Sequence, residues 1–277
     1  MIRLFAADLD GTLLNEYHLM DKEIVEGIQS LQRQGRIVSA ATGRSPLMCQ
    51  TFDYTDIYFV ANNGATIRDD QGKILYQDLI DQDILEEMLD QFSDVPLEYV
   101  ANDKILLTTA SSQLKPLHEM PLADPEIRKK TEAMHENFMA IKKHNCSKEE
   151  ILNAGIVKIN CHKNSPDDLP QIQEFLDRHK DRLENAGTTP EIYEITNRGT
   201  SKASGVLKLA EILGLDSQEE VAVYGDAGND YQMLKAFRHS YAPSDATDQA
   251  KKLASEVIGA NKDHGVIRHM LKLAAQD

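Results

Sequence analysis

Four short stretches of this chain carry side chains that could do chemistry. The first is Asp8-Leu9-Asp10-Gly11-Thr12, with two aspartates two residues apart at the end of an apolar run. Carboxylates crowded on one stretch of chain resist joint ionisation. A hard divalent cation with oxygen ligands, such as magnesium, relieves that conflict. An apolar strand ahead of Asp8 would hold it rigidly, as a nucleophile must be held, and Gly11 would let the chain turn sharply away. The same residues also suit a plain β-turn with surface aspartates, because Asp-Gly is a common turn pair. The second stretch is Thr42-Gly43-Arg44. A hydroxyl and a backbone N–H at a strand end can hold a phosphate oxygen, and Arg44 can meet an anion with both arms of its fork. The bland alternative is a capping threonine and a solvated arginine. The third is Lys202, which opens a helical pattern after Gly199-Thr200-Ser201. There it can neutralise a phosphoryl group beside an anionic nucleophile, although an exposed lysine is the commoner case. The fourth is Gly225-Asp226-Ala227-Gly228-Asn229-Asp230. Asp226 is the natural distal metal ligand. Asn229 can bridge lysine, aspartate and phosphate by hydrogen bonds, and Asp230 can orient Lys202 or a metal-bound water. The stretch also reads as a helix cap, a place that favours Asp and Asn.

The elements around these stretches give them a common address. Ile2 to Ala7 is apolar except for Arg3, too short for a helix and suited to a buried strand. Ile24, Ile28 and Leu31 then recur at helical spacing, with Asp21 as N-cap and Gly35 as stop. Further strands are expected over 37–41, ending at Thr42, and over 57–61, ending at Asn62-Asn63-Gly64. Alternating strand and helix implies a parallel sheet with crossover helices, and such sheets bind ligands beyond the carboxyl ends of their strands. From about residue 81 to 195 the rhythm changes. Neighbouring strands at 97–102 and 105–109, then 156–161, 183–186 and 191–195, with helices at 84–92 and 169–179, suggest an inserted α+β unit. A polar, Lys-rich stretch at 125–148 reads as helical in part. After Thr196 the alternation returns, with a helix over 203–213, a strand over 221–224, a helix over 230–237 and a last strand over 256–259.

Composition narrows the partners. The 277 residues are 41% hydrophobic and 27% charged, ordinary values for a globular protein near the upper size for one core. A formal charge of −15 repels nucleic-acid backbones and anionic lipid, so neither is an expected partner. An anionic substrate would need a metal, a lysine or a helix N-terminus to reverse that field locally. Three widely spaced cysteines, Cys49, Cys146 and Cys161, form no disulfide framework or zinc knuckle pattern. With Asp8 and Asp10 interrupting the first apolar run, no signal peptide or membrane span is read, and a cytoplasmic protein is the expectation.

Together, Asp-x-Asp, Thr, Lys and Asp-x-x-Asn at four strand or helix ends stand in the order one phosphoryl-transfer site requires. The set resembles the haloacid dehalogenase-like (HAD-like) superfamily. Asp8 to Leu14 is similar to its first motif, Thr42-Gly43-Arg44 to the second, Lys202 to the third and 225–230 to the fourth. The resemblance runs along the whole chain and is greatest to the Cof-type hydrolases, which carry a large cap between the second and third motifs. Lys262-Asp263-His264-Gly265-Val266 looks like that branch's ending. The resemblance implies an α/β fold: a parallel-sheet, Rossmann-like core of residues 1–80 and 196–277, with an α+β cap at 81–195 that selects the substrate. It implies a magnesium-dependent phosphatase for small phosphorylated metabolites, sugar phosphates or similar esters. In that reading Asp8 forms an aspartyl-phosphate and Asp10 is the acid and base. Asp8, Asp226 and the Asp10 carbonyl hold Mg2+. The Leu9 and Gly43 amides, Thr42, Lys202 and Asn229 surround the phosphoryl oxygens, and Asp230 stands behind Lys202. Arg44 and Asn63 are candidate substrate contacts. His118, His162 and Lys163 are polar cap residues with no assigned role. The rivals are a phosphomutase of the same fold and a non-catalytic regulatory relative, although the intact Asp8, Asp10, Lys202 and Asp226 speak against the latter. A P-loop kinase is excluded, since no Gly-x-x-x-x-Gly-Lys-Ser/Thr occurs.

Overall fold

The apolar run at the N-terminus folds as expected, into a strand whose four residues Leu4–Ala7 are all buried. The computed structural model describes residues 1–49, 56–110, 129, 136, 139–162, 169–187 and 192–276. In chain order its strands are β1 (Leu4–Ala7), β2 (Ile37–Ala41), β3 (Tyr58–Ala61), β4 (Thr66–Arg68), β5 (Ile74–Gln77), β6 (Glu98–Val100), β7 (Ile105–Leu106), β8 (Lys142–Lys143), β9 (Lys158–His162), β10 (Leu183–Asn185), β11 (Ile192–Asn197), β12 (Val221–Tyr224), β13 (His239–Pro243) and β14 (Glu256–Ile258). His118, Lys163 and much of the 125–148 stretch lie outside the described residues, as does the side chain of His162.

The chain divides into two units, Met1–Arg44, Phe52–Gln77 and Thr200–Asp277 forming the first, and Ser45–Thr51 and Asp78–Gly199 the second. The first carries an eight-stranded sheet in the order β14-β13-β12-β1-β2-β3-β4-β5. From β14 to β3 every pairing is parallel, and β4 and β5 extend the sheet antiparallel. The chain runs outward one way from β1 through β2 and β3, then returns beside β1 as β12 and runs outward the other way. The switch of direction between β1 and β12 opens a crevice at the strands' carboxyl ends. In register, Ala7 pairs with Tyr224 on one side and Ala40 on the other. Asp8, Asp226 and Thr42 follow those residues and so emerge at one edge.

The Lys202–Leu213 helix covers one face of this sheet. Its buried residues Ala203, Val206, Leu209 and Ala210 recur at helical spacing and pack with Leu4, Ala6, Val60, Val221 and Val223. Its start is fixed by a capping box in which the Ser201 hydroxyl accepts from the Ser204 amide at 3.1 Å and the Ser204 hydroxyl accepts from the Ser201 amide at 2.9 Å. Gly205 lies where a Cβ would run into Val60 and come within 2.7 Å of the Gly64 Cα. This close approach seats the helix N-terminus against the turn after β3.

The second unit has a six-stranded sheet in the order β10-β11-β9-β6-β7-β8, antiparallel except for β7 with β8. Tyr99, Ile159, Cys161 and Ile195 on one face share a core with Ile84, Met88, Ile172 and Phe175 from its helices. On the other face the buried Lys142 and Glu98 pair at 2.5 Å, and Lys158 and Glu194 at 2.6 Å.

Intrinsic propensity favours alanine over glycine inside a helix by about 1 kcal/mol. At Gly205 overpacking against Gly64 and Val60, a cost of about 1–3 kcal/mol, opposes that gain. Gly205→Ala is therefore expected to lower the urea midpoint, whereas an exposed glycine in such a helix would be stabilised by the same change.

Candidate active site

The segment after β1 makes a single wide turn, closed by the Leu13 amide on the Asp8 carbonyl at 3.1 Å and the Leu14 amide on the Leu9 carbonyl at 2.9 Å. Gly11 takes the left-handed φ of +81° that the turn needs. A Cβ there would also lie 2.6 Å from an Asp226 carboxylate oxygen, so glycine is required by space as well as by conformation. Thr12, carried round by the same turn, donates its hydroxyl to Asp226 Oδ1 at 2.9 Å. Asp8 is thereby placed at the head of the turn, 5% exposed, with its own amide bonded to the Tyr224 carbonyl at 3.0 Å.

Lys202 is the charge that faces it. The ammonium is buried and donates to Asp8 Oδ1 at 2.6 Å and to Asp230 Oδ1 at 2.8 Å. Asp230 spends its other oxygen on the amides of Asp226 at 3.0 Å and Ala227 at 3.3 Å. One buried carboxylate thus fixes both the lysine and the loop that carries Asp226. The Asp226 carbonyl accepts in turn from the Thr247 amide at 3.0 Å and hydroxyl at 2.9 Å.

The second turn is built by its neighbour. Asn62 and Asn63 both adopt left-handed φ, 53° and 56°, which asparagine tolerates better than most residues. The Asn63 amide then reaches the Thr42 carbonyl at 3.0 Å and the Asn62 amide the Arg44 carbonyl at 3.0 Å. The Thr42 hydroxyl accepts from the Arg44 amide at 3.1 Å. Asn229 donates to Asn63 Oδ1 at 3.2 Å, tying the fourth stretch to this turn. Arg44 is not directed at open solvent. Its Nε donates to Asp10 Oδ2 at 2.8 Å and its Nη2 to Asp10 Oδ1.

The electrostatics follow from burial and crowding. Burial pushes the Asp8 carboxyl well up; Lys202 opposes this and the Asp230 charge adds to it. Asp226 is raised by burial and by Asp230, with the Thr12 hydrogen bond acting the other way. Burial would also raise Asp10, but the His18 hydrogen bond and the Arg44 guanidinium outweigh it and hold the carboxyl at about 2. Burial would lower Lys202, but Asp230 and Asp8 outweigh it and raise the ammonium. Oxygens of Asp8, Asp226 and Asp230 lie within 4.8 Å of one another. An all-oxygen cluster with more negative charge than its lysine neutralises fits a hard divalent cation. Asp230 is already committed to Lys202 and two amides, which leaves Asp8 and Asp226 as the carboxylates that suit it.

The profile of haloacid dehalogenase-like hydrolases matches residues 5–270. The chain belongs to this family. Among curated relatives, it is 29% identical to the 5-amino-6-(5-phospho-D-ribitylamino)uracil phosphatase YwtE of Bacillus subtilis over 96% of each chain. It is 28% identical to an HMP-PP phosphatase of Serratia proteamaculans over 98% of this chain and 94% of that one. A haloacid dehalogenase-like hydrolase from B. subtilis shares the HAD-like fold with a TM-score of 0.79 at 24% identity, over 98% of this chain and 99% of that one. Among the described residues, no helix is long and apolar enough to cross a membrane.

All the stretches singled out in the sequence meet in the first unit. The sequence reading missed Thr12 on Asp226, and His18, whose Nδ1 lies 2.7 Å from Asp10 Oδ1. Thr12 lay inside a recognised motif, but its partner is 214 residues away, and only tertiary structure pairs them. Removing one partner of a buried ion pair costs about 3–5 kcal/mol. Asp230→Ala leaves Lys202 with Asp8 alone and takes the acceptor from two amides, so a loss in that range is expected in urea unfolding. A loss below about 1 kcal/mol would show that Asp230 does not organise the site.

Proposed function

We propose that this chain is a magnesium-dependent phosphatase that hydrolyses small phosphorylated metabolites through an aspartyl-phosphate on Asp8. The observation that carries the reading is the buried Asp8 carboxylate, held at a strand end 2.6 Å from the Lys202 ammonium and beside Asp226. Family membership and relatives named as phosphatases for small phosphorylated compounds support the same class.

In the first step a carboxylate oxygen of Asp8 attacks phosphorus in line. The P–O bond to the leaving group breaks as the new P–O bond to Asp8 forms. Asp10, protonated once its carboxyl leaves the His18 and Arg44 contacts that otherwise keep it ionised, gives its proton to the departing alkoxide. In the second step Asp10 takes a proton from water, and that water attacks the same phosphorus. The bond to Asp8 breaks, inorganic phosphate leaves, and Asp8 is again a carboxylate. Lys202 stabilises the phosphoryl oxygens in both steps, with Thr42, the Leu9 and Gly43 amides and Asn229 around them. Asp230 keeps Lys202 aimed. Asp8, Asp226 and the Asp10 carbonyl would hold Mg2+. Bound there, the cation supplies positive charge that lets a phosphate dianion approach an anionic nucleophile. The second unit is assigned to substrate selection, as the inserted segment in the Cof-type branch.

The test is phosphate release from a panel of phosphorylated metabolites with magnesium, for wild type and Asp8→Asn in parallel. The panel contains sugar phosphates, the phosphoribitylaminouracil and HMP-PP. Release by wild type, with a fall of about 10³-fold or more in Asp8→Asn, is the expected result. Release that survives Asp8→Asn removes Asp8 as the nucleophile. Transfer of the phosphoryl group to a second position of a sugar, with no free phosphate, would mean a mutase.

A further inference from the structure

Asn261 stands near the end of the chain, at the start of the short turn Asn261–Asp263. Its side chain nevertheless reaches the wide turn after β1, 249 residues earlier. Nδ2 donates to the Thr12 carbonyl and, at 2.8 Å, to the Leu14 carbonyl. A side-chain amide carries two N–H donors, enough for both. The backbone so held presents the Thr12 hydroxyl, which donates to Asp226 Oδ1 at 2.9 Å.

Asn261 is itself fixed from both sides. Its backbone amide donates to Asp245 Oδ1 at 2.8 Å, and its carbonyl accepts from the His264 amide at 2.8 Å. His264 takes a left-handed φ of 57°, a conformation that costs free energy in a residue with a Cβ. Gly265 follows at a point where a Cβ would lie 2.0 Å from the Gly259 carbonyl oxygen. Asp245 precedes Thr247 by two residues, and the Thr247 amide and hydroxyl hold the Asp226 carbonyl at 3.0 and 2.9 Å. These contacts close a circuit. From the Asp226 carboxylate it runs through Thr12 to Asn261, on to Asp245 and Thr247, and back to the Asp226 backbone. Asp226 is held at its side chain by one arc and at its carbonyl by the other, and Asn261 joins the two.

We infer that Asn261 is a positioning residue for the metal-binding carboxylate of Asp226, acting through Thr12. The inference rests on the placement of the cation at Asp8 and Asp226 proposed above. By holding two carbonyls of the turn, Asn261 fixes where Thr12 presents its hydroxyl. That hydroxyl orders the Asp226 carboxylate before a cation arrives. A ligand already ordered spares the binding step the entropy of ordering it. Removing the groups that orient metal ligands commonly weakens metal binding by about 10–100-fold.

The experiment titrates the substrate-free protein with Mg2+ by calorimetry, for wild type, Asn261→Ala, Thr12→Val and the double variant, and records the urea midpoint of each. Expected is an affinity about tenfold or more lower in each single variant. The double variant should bind within about twofold of Thr12→Val alone, because two changes on one route do not add. Asn261→Ser keeps one donor and should fall between wild type and Asn261→Ala. Combined with Thr12→Val, it reads the same coupling if Asn261→Ala is misfolded. A lowered urea midpoint with unchanged Mg2+ affinity overturns the inference and makes Asn261 a fastening of the chain end. Losses that multiply in the double variant overturn it too, since Asn261 then acts by a route other than Thr12. If wild type binds no Mg2+, the metal placement itself fails, a result visible before any variant is compared, and the inference falls with it.

Discussion

A buried ammonium between two carboxylates is the interaction on which the rest of the site depends. Lys202 could not be placed in this interior alone, since an isolated buried charge is strongly disfavoured. Asp8 and Asp230 make its burial possible, and it makes theirs possible. The three residues come from the head of the turn after β1, from the head of the Lys202–Leu213 helix and from the loop after β12. Each element must therefore end where the other two end. The Gly64–Gly205 approach and the Ser201–Ser204 capping box set the helix start, and the parallel register of β1 with β12 sets the other two ends. Asp226 joins on terms the lysine does not meet. A third carboxylate at this distance leaves negative charge unbalanced, and burial raises both Asp8 and Asp226.

The same arrangement reconciles an acidic protein with an anionic substrate. With a formal charge of −15, the surface as a whole would repel a phosphate ester. At the strand ends Lys202 offsets part of the carboxylate charge, and in the proposed mechanism a divalent cation supplies the positive charge that remains to be met. The excess of acid elsewhere then does not decide what the site binds.

Much of this was legible in the sequence because the decisive stretches are local. Asp8 to Thr12 and Gly225 to Asp230 each place acids, glycine and a strand end within a few residues, and β1, β2, β3 and β12 are apolar runs that announce themselves. Other elements gave no such signal. Strand β13 is His-Ser-Tyr-Ala-Pro, neither apolar throughout nor alternating, and it exists because β12 and β14 flank it. The β4–β5 hairpin was missed because its strands are short, carry Thr, Arg and Gln, and are held by pairing to β3. Arg44 was readable as an anion-binding side chain, but that its anion is Asp10 is a fact of the fold. His18 had no readable role at all. A lone histidine in a loop acquires one only when Asn15 turns the chain back on itself.

The most direct measurement is calorimetric titration of the substrate-free protein with magnesium, for wild type and Asp226→Asn, at neutral pH. If the carboxylate cluster is built around a divalent cation, wild type shows one saturable binding event and Asp226→Asn shows none or one far weaker. Binding absent from wild type, or unchanged by Asp226→Asn, would contradict the placement of a metal at Asp8 and Asp226, and with it the electrostatic logic of the site.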